Sequence, residues 1–133
     1  MSTYTISVPI IHDSMSAGEI SEGLRMKSTW QYSKGDRKTS PNGRPLSGLR
    51  KDSFWVGESI AGSDSPDNDI QRMLSELSEN SEFVEKLVGS GGRVEILVGW
   101  FLSGNASLML SNPIVKLADR LNVDIRIELY PGD

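Results

Sequence analysis

The chain has 133 residues, 37% of them apolar and 24% charged, and a formal charge of −4, the size and make-up of one domain with a single core. No apolar run approaches the roughly 20 residues that span a bilayer, so no membrane segment is expected. The absence of cysteine excludes disulfides, thiolate metal sites and cysteine nucleophiles, and the acidic total argues against nucleic acid as a general partner.

At the start, Met1-Ser-Thr-Tyr-Thr5 lacks the basic residues and apolar stretch of a signal peptide, which with the cysteine-free composition predicts a cytoplasmic protein. Tyr4, Ile6, Val8 and Ile10 alternate with Thr5, Ser7 and Pro9, the pattern of a half-buried strand. Pro9 has no N–H and belongs at an edge or near the strand's end. His12, beside Asp13, reads as a surface residue rather than a ligand or base. Ser16-Ala-Gly-Glu19 is a capping box, and Ile20 and Leu24 give the following helix an apolar stripe. Gly18 and Gly23 weaken that helix, so packing must hold it.

Arg25 to Lys51 is the chain's most unusual segment. It holds eight Lys and Arg (Arg25, Lys27, Lys34, Arg37, Lys38, Arg44, Arg50, Lys51) and one acid, Asp36, for a local charge of +7. The remaining six Lys and Arg and seventeen Asp and Glu give −11. Thr29-Trp-Gln-Tyr32 reads as a short strand with Trp30 and Tyr32 on one face. Ser33 to Gly48 shows no periodicity and reads as a long basic loop over about 33–50; loops of that length are usually functional or disordered. Two readings stay open. In one, Lys34, Arg37, Lys38 and Arg44 meet anionic oxygens, with Trp30 or Tyr32 as a stacking platform and Trp55 as a further candidate binding residue, although Trp30 and Trp55 would serve equally as core anchors in the sheet. In the other, the loop only solubilises the chain and offsets the acidic helix faces.

Ser53-Phe-Trp-Val-Gly-Glu-Ser-Ile60 reads as one strand. Ser65-Pro66 opens the main helix, Ser as N-cap and Pro at the first helical position, with Asp67 and Asp69 at the positive end of its dipole. Its stripe is Ile70, Met73, Leu74 and Leu77, with a break expected at Asn80-Ser81 before Phe83, Val84, Leu87 and Val88. Glu76, Glu79, Glu82 and Glu85 form the solvated face. Gly89-Ser-Gly-Gly92 precedes a strand, not a helix, so it is a helix stop rather than a phosphate loop. Arg93 to Leu102 is almost continuously apolar and reads as a central strand containing a core Trp100. Ser103-Gly-Asn105 signals a turn, with Ala106–Leu110 as a possible returning strand. Asn112-Pro113 opens a helix with Ile114, Val115, Ala118 and Leu121 facing inward. Val123, Ile125, Ile127 and Leu129 alternate as a final strand, which Pro131-Gly132-Asp133 ends.

Helices scattered between strands predict a single α+β domain over 1–133. The expected form is a two-layer sandwich of a mostly antiparallel or mixed sheet with helices on one face, ferredoxin-like or a variant of it. No clustered metal ligands, Gly-x-Ser-x-Gly elbow or isolated pair of carboxylates stands out. No catalytic residue, metal site or cofactor is therefore assigned, and a non-enzymatic role is favoured over an unrecognised active site. The leading functional expectation is a protein-binding domain, immunity-type or similar, whose basic segment meets an acidic protein surface. The alternative is a binder of a small anionic ligand or single-stranded nucleic acid through residues 25–51. Edge strands allow a monomer or a weak homodimer.

Several segments in this order resemble a bacterial family, that of domain of unknown function 4279. They are Glu19-Ile20-Ser21 in the first helix, Lys34-Gly35-Asp36 after Trp30, and Phe54-Trp55-Val56 leading to Glu58-Ser59. Val94 to Gly99-Trp100, Leu108-Met-Leu-Ser111, the helix from Pro113 and the last strand to Tyr130 complete the likeness. The resemblance implies a small stand-alone α+β domain and carries over no catalytic residue.

Overall fold

The computed structural model describes residues 2–63 and 65–131. In chain order its elements are β1 (Thr3–Ser7), β2 (Pro9–His12), α1 (Ala17–Leu24), β3 (Ser28–Tyr32), β4 (Arg37–Thr39), β5 (Pro45–Leu49), β6 (Ser53–Gly57), β7 (Ile60–Ser63), α2 (Asp67–Ser78), α3 (Ser81–Gly89), β8 (Gly92–Phe101), α4 (Asn112–Leu121) and β9 (Val123–Tyr130). Gly132 and Asp133 of the expected closing segment lie outside the described residues.

The alternating Tyr4, Ile6, Val8 and Ile10 are all buried on one side of the sheet, but Pro9 divides their strand into β1 and β2. With no N–H to give, it interrupts the ladder without shifting it. Against β8 the pairing is Ser7↔Leu97 before the break and Ile10↔Val94 after it, three steps on each strand. Pro9 thus opens β2 in the interior of the sheet, between β6 and β8. On the other flank Ile6 pairs Ile60 while Pro9 pairs Val56. Four steps there oppose three, and the extra residue is taken up at Gly57–Ser59 as a bulge. The bulge is why Ser53–Ile60, expected as one strand, forms β6 and the start of β7.

With β1–β2 and β6–β7 each counted as one ribbon, the main sheet runs β3, β6–β7, β2–β1, β8, β9, antiparallel except for β8–β9. The succession β1–β2, α1, β3, β6–β7, α2–α3, β8 in that spatial order is ferredoxin-like. The unit α4–β9 is added beyond β8 by a parallel crossover. Ala17, Ile20 and Leu24 of α1, Ile70, Met73, Leu74 and Leu77 of α2, Val84 and Leu87 of α3, and Ile114, Ala118 and Leu121 of α4 share one core. The sheet side of that core is Tyr4, Ile6, Val8, Ile10, Trp55, Val94, Ile96, Val98 and Trp100. The fold is therefore the expected α+β arrangement, helices on one face and the other face open.

Several local expectations change, among them Val115 of α4, expected to face inward but 49% exposed. Residues 33–50 contain the hairpin β4–β5, a separate two-stranded sheet, in place of a long loop. Ala106–Leu110 forms no strand; Leu108 and Leu110 are apolar because they pack against the core. Pro66, not Ser65, is the N-cap of α2, and its carbonyl accepts the Ile70 N–H at 2.9 Å. The break between α2 and α3 falls at Glu79–Asn80, where the Asn80 side-chain amide donates to the Leu24 carbonyl at 3.0 Å and ties the break to the end of α1. The weak helix α1 is held as its glycines require. A Cβ at Gly23 would overlap the Phe83 ring from α3, so close packing there outweighs the roughly 1 kcal/mol of helix propensity that Ala would add.

The same trade recurs at Gly62, where a Cβ would overlap the Tyr4 ring. Tyr4 crosses this gap to donate its hydroxyl to Asp69 of α2 at 2.5 Å. Burial, then the hydrogen bond to Asp69 and the charge of that carboxylate, push the Tyr4 hydroxyl up to about 12. The native state thus holds the phenolic proton more tightly than the unfolded chain, whose tyrosine titrates near 10. The stabilisation is complete below pH 10 and is lost as pH rises toward about 12. Chemical denaturation across this range should show wild-type stability falling more steeply than that of Tyr4→Phe. At neutral pH Tyr4→Phe should be less stable by about 1.5–3 kcal/mol, the range for a hydrogen bond to a charged group.

Candidate functional site

The basic segment begins at the end of α1, where Arg25 takes a left-handed conformation, φ 57°, and caps the helix. The chain then enters β3 at the sheet's edge. Trp30 pairs with Val56 and Tyr32 with Phe54, and on β2 these meet Pro9 and Ile11. Their neighbours Trp55 and Ile10 point into the core, so by the alternation of a strand Trp30, Tyr32, Phe54, Val56 and Ile11 lie on the open face. Trp30 is 46% exposed. Tyr32 and Phe54 stack with centroids 5.7 Å apart, and the Arg50 guanidinium sits 3.9 Å above the Tyr32 ring, a cation–π contact that extends the stack by one layer.

Arg50 also closes the base of the hairpin. The Gly35 N–H donates to the Arg50 carbonyl at 2.9 Å and the Arg50 N–H to the Asp36 carbonyl at 2.7 Å. The Asp36 carboxylate accepts the Ser33 N–H at 2.8 Å. Two serines fasten this base to the domain: Ser33 Oγ accepts the Ala17 N–H at 2.9 Å, and the fully buried Ser53 Oγ accepts the Lys34 N–H at 2.9 Å. At the tip, Ser40 accepts the Arg44 N–H through its side chain at 3.1 Å, and Ser40 N–H donates to the Arg44 carbonyl at 2.8 Å. Gly43 turns the chain there at φ +86°, a conformation glycine adopts without a steric cost.

The hairpin carries Lys34, Arg37 and Arg44 exposed and Lys38 half-buried, together with Leu46 and Leu49, 48% and 61% exposed. The ion pairs among the described residues are Arg72–Asp69 and Arg126–Glu95. None of the eight cations between Arg25 and Lys51 takes part in either. The structure therefore groups Trp30, Tyr32, Lys34, Arg37, Lys38 and Arg44 on and beside one projecting hairpin. It separates Trp55 from them. That residue is 0% exposed and its indole N–H donates to Ser21 Oγ at 2.8 Å, so it anchors β6 to α1: of its two expected roles, candidate binding residue and core anchor, it has the second.

His12 also differs from expectation, being 1% exposed. Its Nδ1 accepts the N–H groups of Ser14 and Met15 at 3.0 and 2.8 Å. Backbone N–H groups can only donate, so the neutral ring carries its proton on Nε2, which faces Ser90 Oγ at 2.8 Å. The ring therefore shapes the turn into α1. The available signal was position: His12 continues the series 4, 6, 8, 10 on the buried side of the strand.

Sequence reasoning did not single out the clefts. One of about 540 Å³ lies against the Glu58–Ser59 bulge, lined by Met26, Lys27, Glu58, Ile60, Arg72 and Glu76. Its two cations and two carboxylates balance, and it is an open depression. A smaller one of about 280 Å³ lies on the open sheet face between Pro9, Ile11, Arg93, Glu95 and Arg126. Among the described residues no group of three or more His, Asp and Glu side chains converges to hold a metal ion, and no helix is long and apolar enough to cross a membrane.

Fold and site together define a ferredoxin-like α+β domain with one added α–β unit and a basic hairpin rooted at the β3 edge. The family model described as Domain of unknown function (DUF4279) matches residues 2–132, and the chain belongs to that family. No curated protein and no solved structure matches it.

The serine fastening is open to direct test. Ser53→Ala leaves the Lys34 N–H without its acceptor at a buried site, and should lower stability by about 1–3 kcal/mol. Amide exchange at Gly35 and Arg50, followed by NMR, should accelerate more than exchange in β8, because the hairpin base opens first.

Proposed function

We propose that this protein is a non-catalytic binding domain that holds another protein, with the β4–β5 hairpin and its root as the contact surface and an acidic patch as the counterpart. What supports this reading is that Lys34, Arg37, Lys38 and Arg44, which have no ion-pair partner within the described residues, sit together on a braced hairpin that also exposes Leu46 and Leu49. Complementary charge accelerates encounter and selects partners, while exposed apolar side chains supply burial once the surfaces meet. A small domain that acts by occupying a partner's surface fits an immunity-type role. The reading extends to a bacterial, cytoplasmic protein, in keeping with a sequence free of cysteine.

The test is affinity capture with the tagged chain, beside a variant carrying Lys34→Glu, Arg37→Glu, Lys38→Glu and Arg44→Glu. The wild type should retain an acidic protein that the variant loses, and that is released as salt is raised to about 0.5 M. Retention of the same proteins by both chains overturns the reading.

A second reading rests on Trp30, 46% exposed, beside the Arg50–Tyr32–Phe54 stack: a flat anionic ligand or single-stranded nucleic acid lying on the aromatic face. It predicts quenching of tryptophan fluorescence by nucleotides or oligonucleotides at low salt, abolished by Trp30→Ala and weakened as salt rises. A flat titration removes it.

A further inference from the structure

Adding α4–β9 to the ferredoxin-like unit moves the sheet's border from β8 to β9. The two borders of the sheet are built differently. β3 is five residues long with a bulge between Ser28 and Trp30, a device that discourages pairing at an edge. β9 is eight residues long, contains no proline and pairs with β8 in unbroken register from Val123 to Tyr130. Among the described residues, no backbone group from Asp124 to Leu129 is hydrogen-bonded to anything outside the β8 ladder. The helix-side face of β9 is also progressively uncovered: Val123 is buried, Ile125 and Ile127 are half-buried, and Leu129 is 59% exposed. Its other face presents Asp124, Arg126 and Glu128, all exposed and alternating in sign.

We propose that β9 pairs antiparallel with β9 of a second copy, about a two-fold axis at Ile127, so that two sheets become one. The charge order selects this register. Side chains directly opposite each other share a face, so each permitted two-fold register is centred on one residue. Centred on Ile127, Arg126 faces Glu128 of the second copy, and symmetry repeats the pair. Ile125 then faces Leu129 and Ile127 faces its own counterpart, covering the apolar residues that α4 leaves exposed. Centred on Arg126 or on Glu128, like charges meet at the axis. Centred on Ile125, opposite charges meet, but the overlap shrinks to Val123–Ile127 from Asp124–Tyr130. Arg126 already holds Glu95 at 2.9 Å. Pairing brings a second carboxylate to its other side, an arrangement suited to the several donors of a guanidinium. The surface is distinct from the basic hairpin, and the inference does not depend on what the hairpin binds.

Sedimentation velocity over a concentration series should show the wild type passing from monomer to dimer. Arg126→Glu and Glu128→Arg each set like charges opposite one another twice, and each should weaken self-association by roughly tenfold or more. Mixed in equal amounts, the two variants restore both opposite-charge pairs across the axis and should form a heterodimer at about wild-type affinity, which chains that had failed to fold could not do. A wild type that stays monomeric throughout overturns the proposal. So does a dimer that both variants leave intact, or a mixture that associates no better than its components.

Discussion

Strand β8 is what the other elements are arranged around. Along its ten residues it pairs with β1–β2 on one flank and β9 on the other. Its inward side chains Val94, Ile96, Val98 and Trp100 are at most 4% exposed, each worth about 1.5–3 kcal/mol of apolar burial. Both flanks matter to the result. The antiparallel flank completes the ferredoxin-like unit, and the parallel flank lets a crossover helix, α4, close the core over the far end of the sheet. A strand paired on both sides and covered on one face has little freedom in register, since a one-residue slip would turn its apolar side to solvent. That constraint explains how Pro9 can interrupt β1–β2 without displacing it: β8 keeps the register on either side of the gap.

Polar groups fix the connections that apolar burial leaves loose. Tyr4 binds Asp69 and links the sheet to α2, Trp55 binds Ser21 and links it to α1, and Asn80 binds Leu24 and links the α2–α3 break to the end of α1. His12 orders the turn into α1 from beneath. These residue types often mark active sites, and in this chain they do structural work at the joints between layers. Their hydrogen bonds add directional preference to a core whose apolar contacts alone would allow several packings.

The elements with one buried face were legible because burial writes a period into the sequence, two for β1 and β9 and near 3.6 for the helices, while β8 was legible from its almost continuously apolar run. The chain's extended order gave the ferredoxin-like class, and the charge count gave the basic segment its place. The hairpin was not legible, because all five residues of β5 are exposed and an exposed strand has no reason to alternate. What holds it is a set of serine and backbone hydrogen bonds between residues as distant as Ala17 and Ser33, and these leave no local pattern. Trp55 and Trp30 illustrate the same limit. Both are tryptophans in aromatic, strand-like surroundings, yet one is 0% exposed and the other 46%. The difference is set by which ribbon is interior, a property of the assembled sheet.

The way the hairpin is fastened has a bearing on how this surface can change. Its two ends are already joined by the Gly35–Arg50 and Arg50–Asp36 hydrogen bonds, so the entropy of closing the excursion is met at its base. Extra residues at the tip between Ser40 and Arg44 then cost little, about 0.6 kcal/mol for each doubling of loop length. The core, fastened elsewhere, does not register them. Tip length and tip sequence can therefore drift between related chains while β8 and its neighbours stay fixed, which makes residues 40–44 a natural place to graft a foreign recognition loop onto this scaffold.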